Sequence, residues 1–418
     1  MSLRANQLAG LAAAIERVAR LDTPADAAIS AFFRAHPEMG QRDRAFIAEG
    51  AFAYLRRKRS LEALVGNTHP RRLALAVATR ELGHSLRDLA GALRNDEEEW
   101  LRTLKENART PQPDAVAADV PDWLWQRLAE VFDETERAAL TRAWQAPAPF
   151  DLRVNPIKAT RDDALAALAA SGIDASATPY APLGIRVAGR PSLVGHAWLK
   201  DGRLEVQDEG SQLIGHLVAP RRSDMIVDFC AGAGGKTLLL GALMRSQGRL
   251  YAFDVAARRL AHLAPRLRRS GLSNVHPQAI AHERDTKVKR LAGKIDRVLV
   301  DAPCTGFGTL RRNPDLKWRQ QPSDVAELTA KQARILAAAA TLVKPKGRLV
   351  YATCSVLPEE NDAIVAGFLA ANPGFTQLDA AAELARAGIA LDTGRELRLT
   401  PHRHGCDGFF AAVLERTA

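Results

Sequence analysis

The sequence lacks long apolar segments and has few cysteines. No apolar run among its 418 residues reaches the roughly 20 residues that a membrane-spanning helix needs. Residues 1–10 lack the apolar core and cleavage site of a signal peptide. The 4 cysteines include no CxxC pair, which argues against a disulfide framework and the common zinc patterns. We therefore expect a cytoplasmic protein with no membrane segment and no metal site.

Acidic residues are fewer than basic ones. The chain has 58 Lys and Arg residues against 48 Asp and Glu residues, a formal net charge of +10. This balance fits a polyanionic partner, because cations that bind phosphates release counterions, but it also fits an arginine-rich protein with no such partner. The hydrophobic content of 47% is that of a globular protein, and the length predicts two or three domains.

The start of the chain has helical rather than strand-like periodicity. Residues 1–110 are therefore predicted to form an all-helical domain. This region contains the basic run Arg56–Arg59, which is either a solvated helix end or a contact for RNA phosphates. Residues 111–202 combine a proline-containing linker, a helical stretch and short strands around a further helix at Arg161–Ala170. We expect a linker helix and a small α/β subdomain there.

From Ser223 onward, strands alternate with helices. This alternation predicts parallel βαβ units, and hence a doubly wound α/β sheet of the Rossmann type over residues 203–418. The predicted strands are Met225–Phe229, Arg249–Phe253, Arg297–Val300 and Arg348–Ala352. The predicted helices are Lys236–Ser246, Ala257–Ser270 and Ser323–Val343.

Glycines follow the first of these strands, in the stretch Cys230–Thr237. Such glycines allow a tight turn and let a ligand approach the backbone and the start of the next helix. The stretch is neither a Walker A loop, which needs glycine at position 230, nor a GxGxxG motif, which needs glycine at position 237. Asp254 ends the second strand, where an acid either binds a ribose or merely caps the next helix. Loop and acid together suit a nucleoside cofactor without identifying it.

An acid and two thiols follow the later strands: Asp301 and Cys304 after one, Cys354 after the next. If these strands are neighbours, the three groups converge at the carboxyl edge of the sheet, where ligands bind. Such a set suits methylation of cytosine carbon 5. A thiolate adds to carbon 6 and makes carbon 5 nucleophilic, a carboxyl group near N3 stabilises charge in the ring, and a second thiol assists the elimination. The base must leave its stack to be reached.

The ordered motifs of the second half of the chain resemble the Sun/Fmu-type RNA cytosine-5 methyltransferases, most closely the RsmB-like branch. The matching stretches are Val206–Gln212, Cys230–Thr237, Asp301–Gly306, Gly308–Trp318, Ala352–Ser355, Pro358–Asn361 and Asp407–Phe410. Arg153–Pro156 is similar to the start of the family's small RNA-binding subdomain. The helical N-terminus resembles the NusB-like, RNA-binding domain of the RsmB-like branch.

The resemblance implies S-adenosylmethionine as the cofactor and roles for individual residues. Cys354 would be the nucleophile, and Cys304 would help to free the product. Asp301 would contact the target base and lie near the cofactor, and Asp254 would hold the cofactor ribose. The methionine part of the cofactor would contact seven consecutive residues, Cys230, Ala231, Gly232, Ala233, Gly234, Gly235 and Lys236.

We expect a monomer. The resemblance also implies that it acts on RNA, with small-subunit ribosomal RNA the first expectation and transfer RNA the second. Arg311 and Arg312 follow the Asp301–Cys304 stretch and are predicted phosphate contacts. Two positions depart from the family pattern. Ala233 replaces a usual proline, and the stretch after the third strand has no Asp before Asp285, so the acid that contacts the cofactor adenine is not assigned.

Two further interpretations stay open at this point. A non-catalytic RNA-binding or assembly protein could keep a methyltransferase fold, although retention of both thiols, Asp301 and the glycine loop disfavours it. A DNA cytosine-5 methyltransferase would use a Pro-Cys nucleophile at Cys304 and would leave Cys354 without a role. The Thr-Cys-Ser motif and the NusB-like start favour RNA.

Overall fold

The structure is a computed structural model that describes residues 3–189, 191–193 and 195–417. It divides into two compact units. One combines Met1–Pro147 with Thr309–Gln321, and the other combines Ala148–Gly308 with Pro322–Ala418. No helix within the described ranges is both long enough and apolar enough to cross a membrane.

The first unit is all-helical, which confirms the expected fold class of the N-terminal region. Its helices are α1 (Ala5–Ala19), α2 (Ala25–Ala35), α3 (Gln41–Arg56), α4 (Lys58–Val65), α5 (Pro70–Arg80), α6 (Leu86–Leu89), α7 (Glu97–Asn107), α8 (Asp114–Ala117), α9 (Asp122–Ala129), α10 (Glu134–Gln145) and, from the distant segment, α18 (Leu316–Arg319). Apolar side chains on one face of α1, including Leu8, Leu11 and Ile15, are fully buried in a core shared with α3 and α5. Burial of this face stabilises helices that would be marginal in isolation.

The segment Thr309–Gln321 belongs to this helical unit although it lies far away in sequence. Lys317 is buried, and its Nζ donates to the backbone oxygen of Arg56 at 2.9 Å. The indole Nε1 of Trp318 donates to the backbone oxygen of Leu55 at 2.8 Å. Both acceptors lie at the C-terminal end of α3, where helix carbonyls lack partners within the helix. The segment therefore completes the end of that helix.

The second unit begins with a small antiparallel sheet of order β2-β3-β1-β4. Its strands are β1 (Phe150–Val154), β2 (Ala175–Ala177), β3 (Gly184–Val187) and β4 (Leu204–Val206), with helices α11 (Arg161–Ala170) and α12 (Ala197–Lys200). Leu152, Val154, Leu168 and Ile185 form its buried core. The division into three domains, 1–110, 111–202 and 203–418, stays a prediction. In the two compact units, α8, α9 and α10 group with the helical unit, and the small sheet groups with the Rossmann-like part.

The large sheet has the order β10-β12-β9-β8-β5-β6-β7, with β11 paired to β12. Its strands are β5 (Met225–Asp228), β6 (Arg249–Asp254), β7 (Val275–Ala279), β8 (Ile295–Asp301), β9 (Val343–Thr353), β10 (Phe375–Leu378), β11 (Leu397–Leu399) and β12 (Phe409–Arg416). Its helices are α13 (Glu209–Val218), α14 (Gly235–Leu243), α15 (Ala257–Ala261), α16 (Leu263–Ser270), α17 (Thr286–Lys289), α19 (Pro322–Ala340), α20 (Asp362–Ala371), α21 (Ala380–Arg386) and α22 (Pro401–His404).

The strands β5 to β9 run parallel, and β12 runs antiparallel to β9. This confirms the predicted doubly wound, Rossmann-like class. The strand order reverses between β5 and β8, so the carboxyl ends of these two strands form the crevice in which such sheets bind ligands. The glycine loop follows β5, and the stretch that carries Cys304 follows β8.

Candidate active site

The glycine loop connects β5 to α14 through a tight turn. Gly234 has φ +81°, a left-handed conformation, and a Cβ placed on it would lie 2.2 Å from Cδ1 of Leu263. Only glycine fits this position without strain or displacement of Leu263. The amide of Gly234 donates to the oxygen of Ala231 at 2.8 Å, which closes the turn. The loop is thus set by local geometry and by the packing of α16.

Asp254 ends β6 and supports the same loop. Its Oδ2 accepts from the amide of Gly232 at 2.7 Å, and its Oδ1 accepts from the amide of Ala256 at 2.7 Å. The carboxyl group is buried, yet it lines a cavity at the edge of the sheet. Each carboxylate oxygen keeps a second acceptor position for a ligand. Asp254 therefore shapes the loop whether or not it also binds a ribose.

The two predicted thiols lie together. β8 and β9 are paired in parallel, with Asp301 opposite Ala352, so the residues that follow them emerge side by side. The Sγ atoms of Cys304 and Cys354 are 3.3 Å apart. The amide of Gly308 donates to the oxygen of Cys354 at 2.8 Å and ties the two loops to each other.

The two thiols have neighbours of opposite charge. Lys236 lies within electrostatic reach of Cys354, and its Nζ is 2.7 Å from Oδ2 of Asp301. Burial lowers the pKa of Lys236, but the charges of Asp301 and of a Cys354 thiolate outweigh burial and raise it, so the side chain stays an ammonium group. The hydrogen bond with Cys354, then burial and the nearby charges, including that of Glu360, raise the pKa of Cys304 well above its usual value. Cys304 thus keeps its proton, and the ammonium group within reach of the thiol pair is that of Lys236.

A cavity of about 490 Å³ opens beside these groups. It is lined by Phe229, Cys230, Asp254, Val255, Ala256, Arg259, Ile280, Glu283, Asp301, Ala302, Pro303, Cys304, Lys331, Ile335 and Cys354. Its size is typical of a small-molecule site. The predicted residues Cys230, Asp254, Asp301, Cys304 and Cys354 therefore meet in one cavity.

Comparison with known proteins identifies the family. The sequence model of the 16S rRNA methyltransferases RsmB/F matches residues 215–415, and that of the RsmF/B-like ferredoxin-like domain matches residues 120–193. A Synechocystis sp. protein named probable ribosomal RNA small subunit methyltransferase B is 30% identical over 99% of this chain and 100% of its own length. The chain belongs to the RsmB/F methyltransferase family.

Two further comparisons agree with this membership. The ribosomal RNA small subunit methyltransferase B of Pseudomonas putida is 35% identical over 79% of this chain and 73% of its own length. A crystal structure titled PH0851 is 26% identical and superposes with a TM-score of 0.80 over 100% of both chains. The resemblance to the RsmB-like branch of the Sun/Fmu-type enzymes is confirmed. As a family member, the chain is an S-adenosylmethionine-dependent RNA methyltransferase.

The residues of the cavity fit the cofactor of the RsmB/F family. S-adenosylmethionine carries a sulfonium, an ammonium group and ribose hydroxyls, all of which favour carboxylate neighbours. Asp254, Asp301 and Glu283 supply such groups, and Arg259 and Lys331 are available for the cofactor carboxylate. Glu283 was not predicted. Asp285, the acid noted in the sequence, caps α17 by accepting from the amide of Lys287 at 2.9 Å and does not line the cavity.

Two residues of the Pro358–Asn361 motif also had no predicted role. Glu360 is fully buried and accepts from the amide and hydroxyl of Thr305 at 2.8 and 2.6 Å. Asn361 accepts from the hydroxyl of Thr353 at 2.6 Å and donates to the oxygen of Ser355 at 3.1 Å. One side chain therefore fixes the stretch after Cys304, and the other fixes both neighbours of Cys354. The Pro358–Asn361 motif could be recognised in the sequence, but the residues that its side chains bind could not be predicted from it.

The predicted RNA contacts differ in exposure. Arg311 is only 6% exposed, which argues against a phosphate contact in this conformation, whereas Arg312 is partly exposed. The basic run Arg56–Arg59 is engaged within the helical unit. Arg57 pairs with Glu81 and Asp119, Lys58 with Glu62, and Arg59 with Asp122, while Arg56 is buried.

Proposed function

We propose that this chain methylates carbon 5 of a cytosine in small-subunit ribosomal RNA, through a covalent bond between Cys354 and carbon 6. The names of the relatives, which specify small-subunit ribosomal RNA, support the substrate. One observation supports the chemistry above all others: two sulfur atoms lie 3.3 Å apart, with an ammonium group within electrostatic reach of one and a buried carboxylate within electrostatic reach of the other. The ammonium group of Lys236 lies within electrostatic reach of Cys354, and the charge of Glu360 disfavours a thiolate on Cys304.

The steps follow from these charges. The Cys354 thiolate adds to carbon 6, and the electron pair of the 5,6 double bond becomes available at carbon 5. Asp301, held by Lys236 through Oδ2, keeps its other oxygen for the ring of the base. S-adenosylmethionine, when bound, supplies the methyl group. Glycine-loop residues Cys230 to Lys236 would hold its methionine part, and Asp254 its ribose.

Cys304 serves the release of the product. Once Cys354 is bonded to carbon, the thiolate that accepts the hydrogen bond of Cys304 is gone, and with it the largest influence that raises the pKa of Cys304. Cys304 can then give its proton to solvent and accept the proton of carbon 5. The electrons of that C–H bond restore the 5,6 double bond, and Cys354 leaves as a thiolate. At the end of one turnover, Cys304 is protonated again and Cys354 is again a thiolate.

The substrate and the position of the methyl group are tested together. Small-subunit ribosomal RNA from a strain that lacks the gene should gain one 5-methylcytosine on incubation with the protein and S-adenosylmethionine, read by bisulfite sequencing. Cys354→Ala should add none. Cys406→Ala, which removes a buried thiol that does not line the cavity, is the matched control and should behave as the wild type. Methylation confined to transfer RNA would replace the substrate, and absence of any methylation would favour an assembly role.

We also propose that RNA phosphates bind a groove of about 930 Å³ in the helical unit. Its lining includes Arg80, Arg87, Lys105 and Arg109, all exposed, and within the described ranges none of the four has an ion-pair partner. This distinguishes the groove from the basic run Arg56–Arg59, whose partly exposed cations Arg57, Lys58 and Arg59 are paired. Unpaired exposed cations are the groups that phosphates bind most readily.

The groove is tested by the salt dependence of RNA affinity. Replacing Arg80, Arg87 and Arg109 together by glutamine should flatten the slope of log affinity against log salt by about two to three. The control replaces three exposed arginines of the same unit that do not line the groove, Arg20, Arg34 and Arg42. Equal effects of the two triple variants would show that only net charge matters.

A further inference from the structure

Two arginines hold the outer side of the glycine loop. The guanidinium of Arg153 donates to the backbone oxygen of Gly235 at 2.8 Å, and that of Arg266 donates to the oxygen of Ala233 at 2.6 Å. A peptide unit is planar and trans, so a fixed carbonyl also fixes the direction of the next amide N–H. These two contacts therefore set the orientation of the peptide units that follow Ala233 and Gly235.

Both arginines are anchored on the small antiparallel sheet. Arg153 lies on β1, is 2% exposed, and also donates to the side chain of Gln207. Its neighbour across the strands is Glu205 on β4, which is 3% exposed. Glu205 accepts from Nε and from the second terminal nitrogen of Arg266 at 3.0 and 2.8 Å. The strands β1 and β4 thus hold the loop at two points, directly through Arg153 and indirectly through the pair of Glu205 and Arg266.

The surroundings of Arg153 keep it out of contact with RNA. A nearly fully buried guanidinium cannot reach a phosphate, and its hydrogen bonds point to the loop and to Gln207. Burial lowers its pKa to about 10, with Glu205 opposing and Arg266 adding to this effect, so the group is still charged at pH 7. A charged donor makes stronger hydrogen bonds to a carbonyl than a neutral one does.

We propose that the small sheet is a positioning element of the cofactor site, in which Arg153 directly and Glu205 through Arg266 hold the glycine loop in the shape that binds S-adenosylmethionine. This goes beyond the RNA-binding role implied for the subdomain, and it rests on the proposed location of the cofactor at the glycine loop. The small sheet then contributes to cofactor affinity although it does not line the cavity.

The test is calorimetric titration of the full chain with S-adenosylmethionine. Arg153→Met should raise the dissociation constant about tenfold, the scale of one hydrogen bond to a charged group. Arg153→Lys should recover part of the affinity. The matched control is Arg186→Met, which removes an arginine of the same sheet that is paired with Asp151 at 2.8 and 2.9 Å and makes no hydrogen bond to the loop. Arg186→Met should leave the affinity unchanged.

A second readout does not need the cofactor. Amide hydrogen exchange of residues 230–237 in the cofactor-free protein should be faster in Arg153→Met and in Glu205→Gln than in Arg186→Met. Wild-type affinity in Arg153→Met, or an equal loss in Arg186→Met, would overturn the proposal, as would lost RNA affinity with cofactor affinity intact. Asp254→Asn distinguishes a wrong location of the cofactor from a wrong role of the small sheet. If Asp254→Asn also binds as the wild type does, the proposed location of the cofactor is wrong; if it binds more weakly while Arg153→Met does not, only the role of the small sheet is wrong.

Discussion

At the scale of single residues, the catalytic groups depend on side chains that do not touch the cavity. Glu360 receives two hydrogen bonds from Thr305 and one from Gln332, and Asn361 bonds to residues on both sides of Cys354. All of these bonds are buried, where an unsatisfied partner is costly. The spacing of the two sulfur atoms is therefore set by a buried polar network and not by the strands alone.

Asp228 allows a prediction of pH dependence. Burial raises the pKa of its carboxyl to about 7, with the hydroxyl of Thr237 and the charge of Lys236 opposing and the charges of Asp301 and Asp254 adding. Because the unfolded value is near 3.9, the folded protein binds the extra proton between pH 4 and 7, and stability falls as the pH rises through this range. Above pH 7 the carboxyl group is ionised in the folded protein as well, and the stabilisation from the extra proton is lost.

Asp228→Asn should remove this dependence. Relative to the variant, the wild type should lose stability on the order of a few kcal/mol between pH 4.5 and 7.5. Urea unfolding of both proteins at the two pH values measures the difference, and comparison with the variant cancels the groups that titrate in both. An identical change in the two proteins would mean that Asp228 is ionised throughout.

At the scale of elements, the glycine loop is the most constrained connection. Gly234 combines φ +81° with a Cβ position 2.2 Å from Leu263. Gly234→Ala should destabilise the second unit by about 1–3 kcal/mol through backbone strain and displacement of Leu263, and should weaken cofactor binding. Gly367→Ala, at a glycine in α20 with open space around its Cβ position, is the control and should be neutral or slightly stabilising. Equal stability of the two variants in thermal unfolding would refute this reading of the loop.

Sequence periodicity predicted the parallel core of the large sheet well. β5, β6 and β8 were each located to within two residues, because buried parallel strands are short apolar runs bounded by turns. β9 begins five residues before its predicted start, and β7 was not among the predicted strands. The final strand β12 was not predicted. Its residues, Phe409–Arg416, form a run that periodicity does not distinguish from a helix, and only pairing with β9 decides it. The predicted helix Ala257–Ser270 is two helices that meet at His262.

Site residues could be predicted where reactive side chains directly follow a predicted strand. They could not be predicted where their position depends on contacts with residues distant in sequence. The thiols, Asp301, Asp254 and the loop could be named because each follows a strand at one edge of the sheet. Glu283 could not be chosen over Asp285, because only the turn after β7 decides which acid faces the cavity. The burial of Arg153 and Arg311 is likewise a tertiary property that a basic residue in a sequence does not reveal.

At the scale of the whole molecule, the helical unit includes a segment from the middle of the catalytic half. Trp318 packs against the core of that unit and bonds to the end of α3. Trp318→Ala should therefore destabilise the helical unit by about 1–3 kcal/mol and speed amide exchange in α3, although it lies far from α3 in sequence. Trp198→Ala, in α12 of the other unit, is the control. Unchanged exchange of α3 in Trp318→Ala would show that the segment is not part of the helical core.

The assignment of the two thiols is the central claim, and one measurement tests it directly. Cys304→Ala, Cys354→Ala and the wild type are each incubated with small-subunit ribosomal RNA and S-adenosylmethionine, and then run on a denaturing gel. If Cys354 bonds to carbon 6 and Cys304 serves the elimination, Cys304→Ala should accumulate an RNA-linked band that resists denaturation. Cys354→Ala should form none, and the wild type should show only a trace. A stable adduct in Cys354→Ala and none in Cys304→Ala would contradict the assignment and make Cys304 the nucleophile.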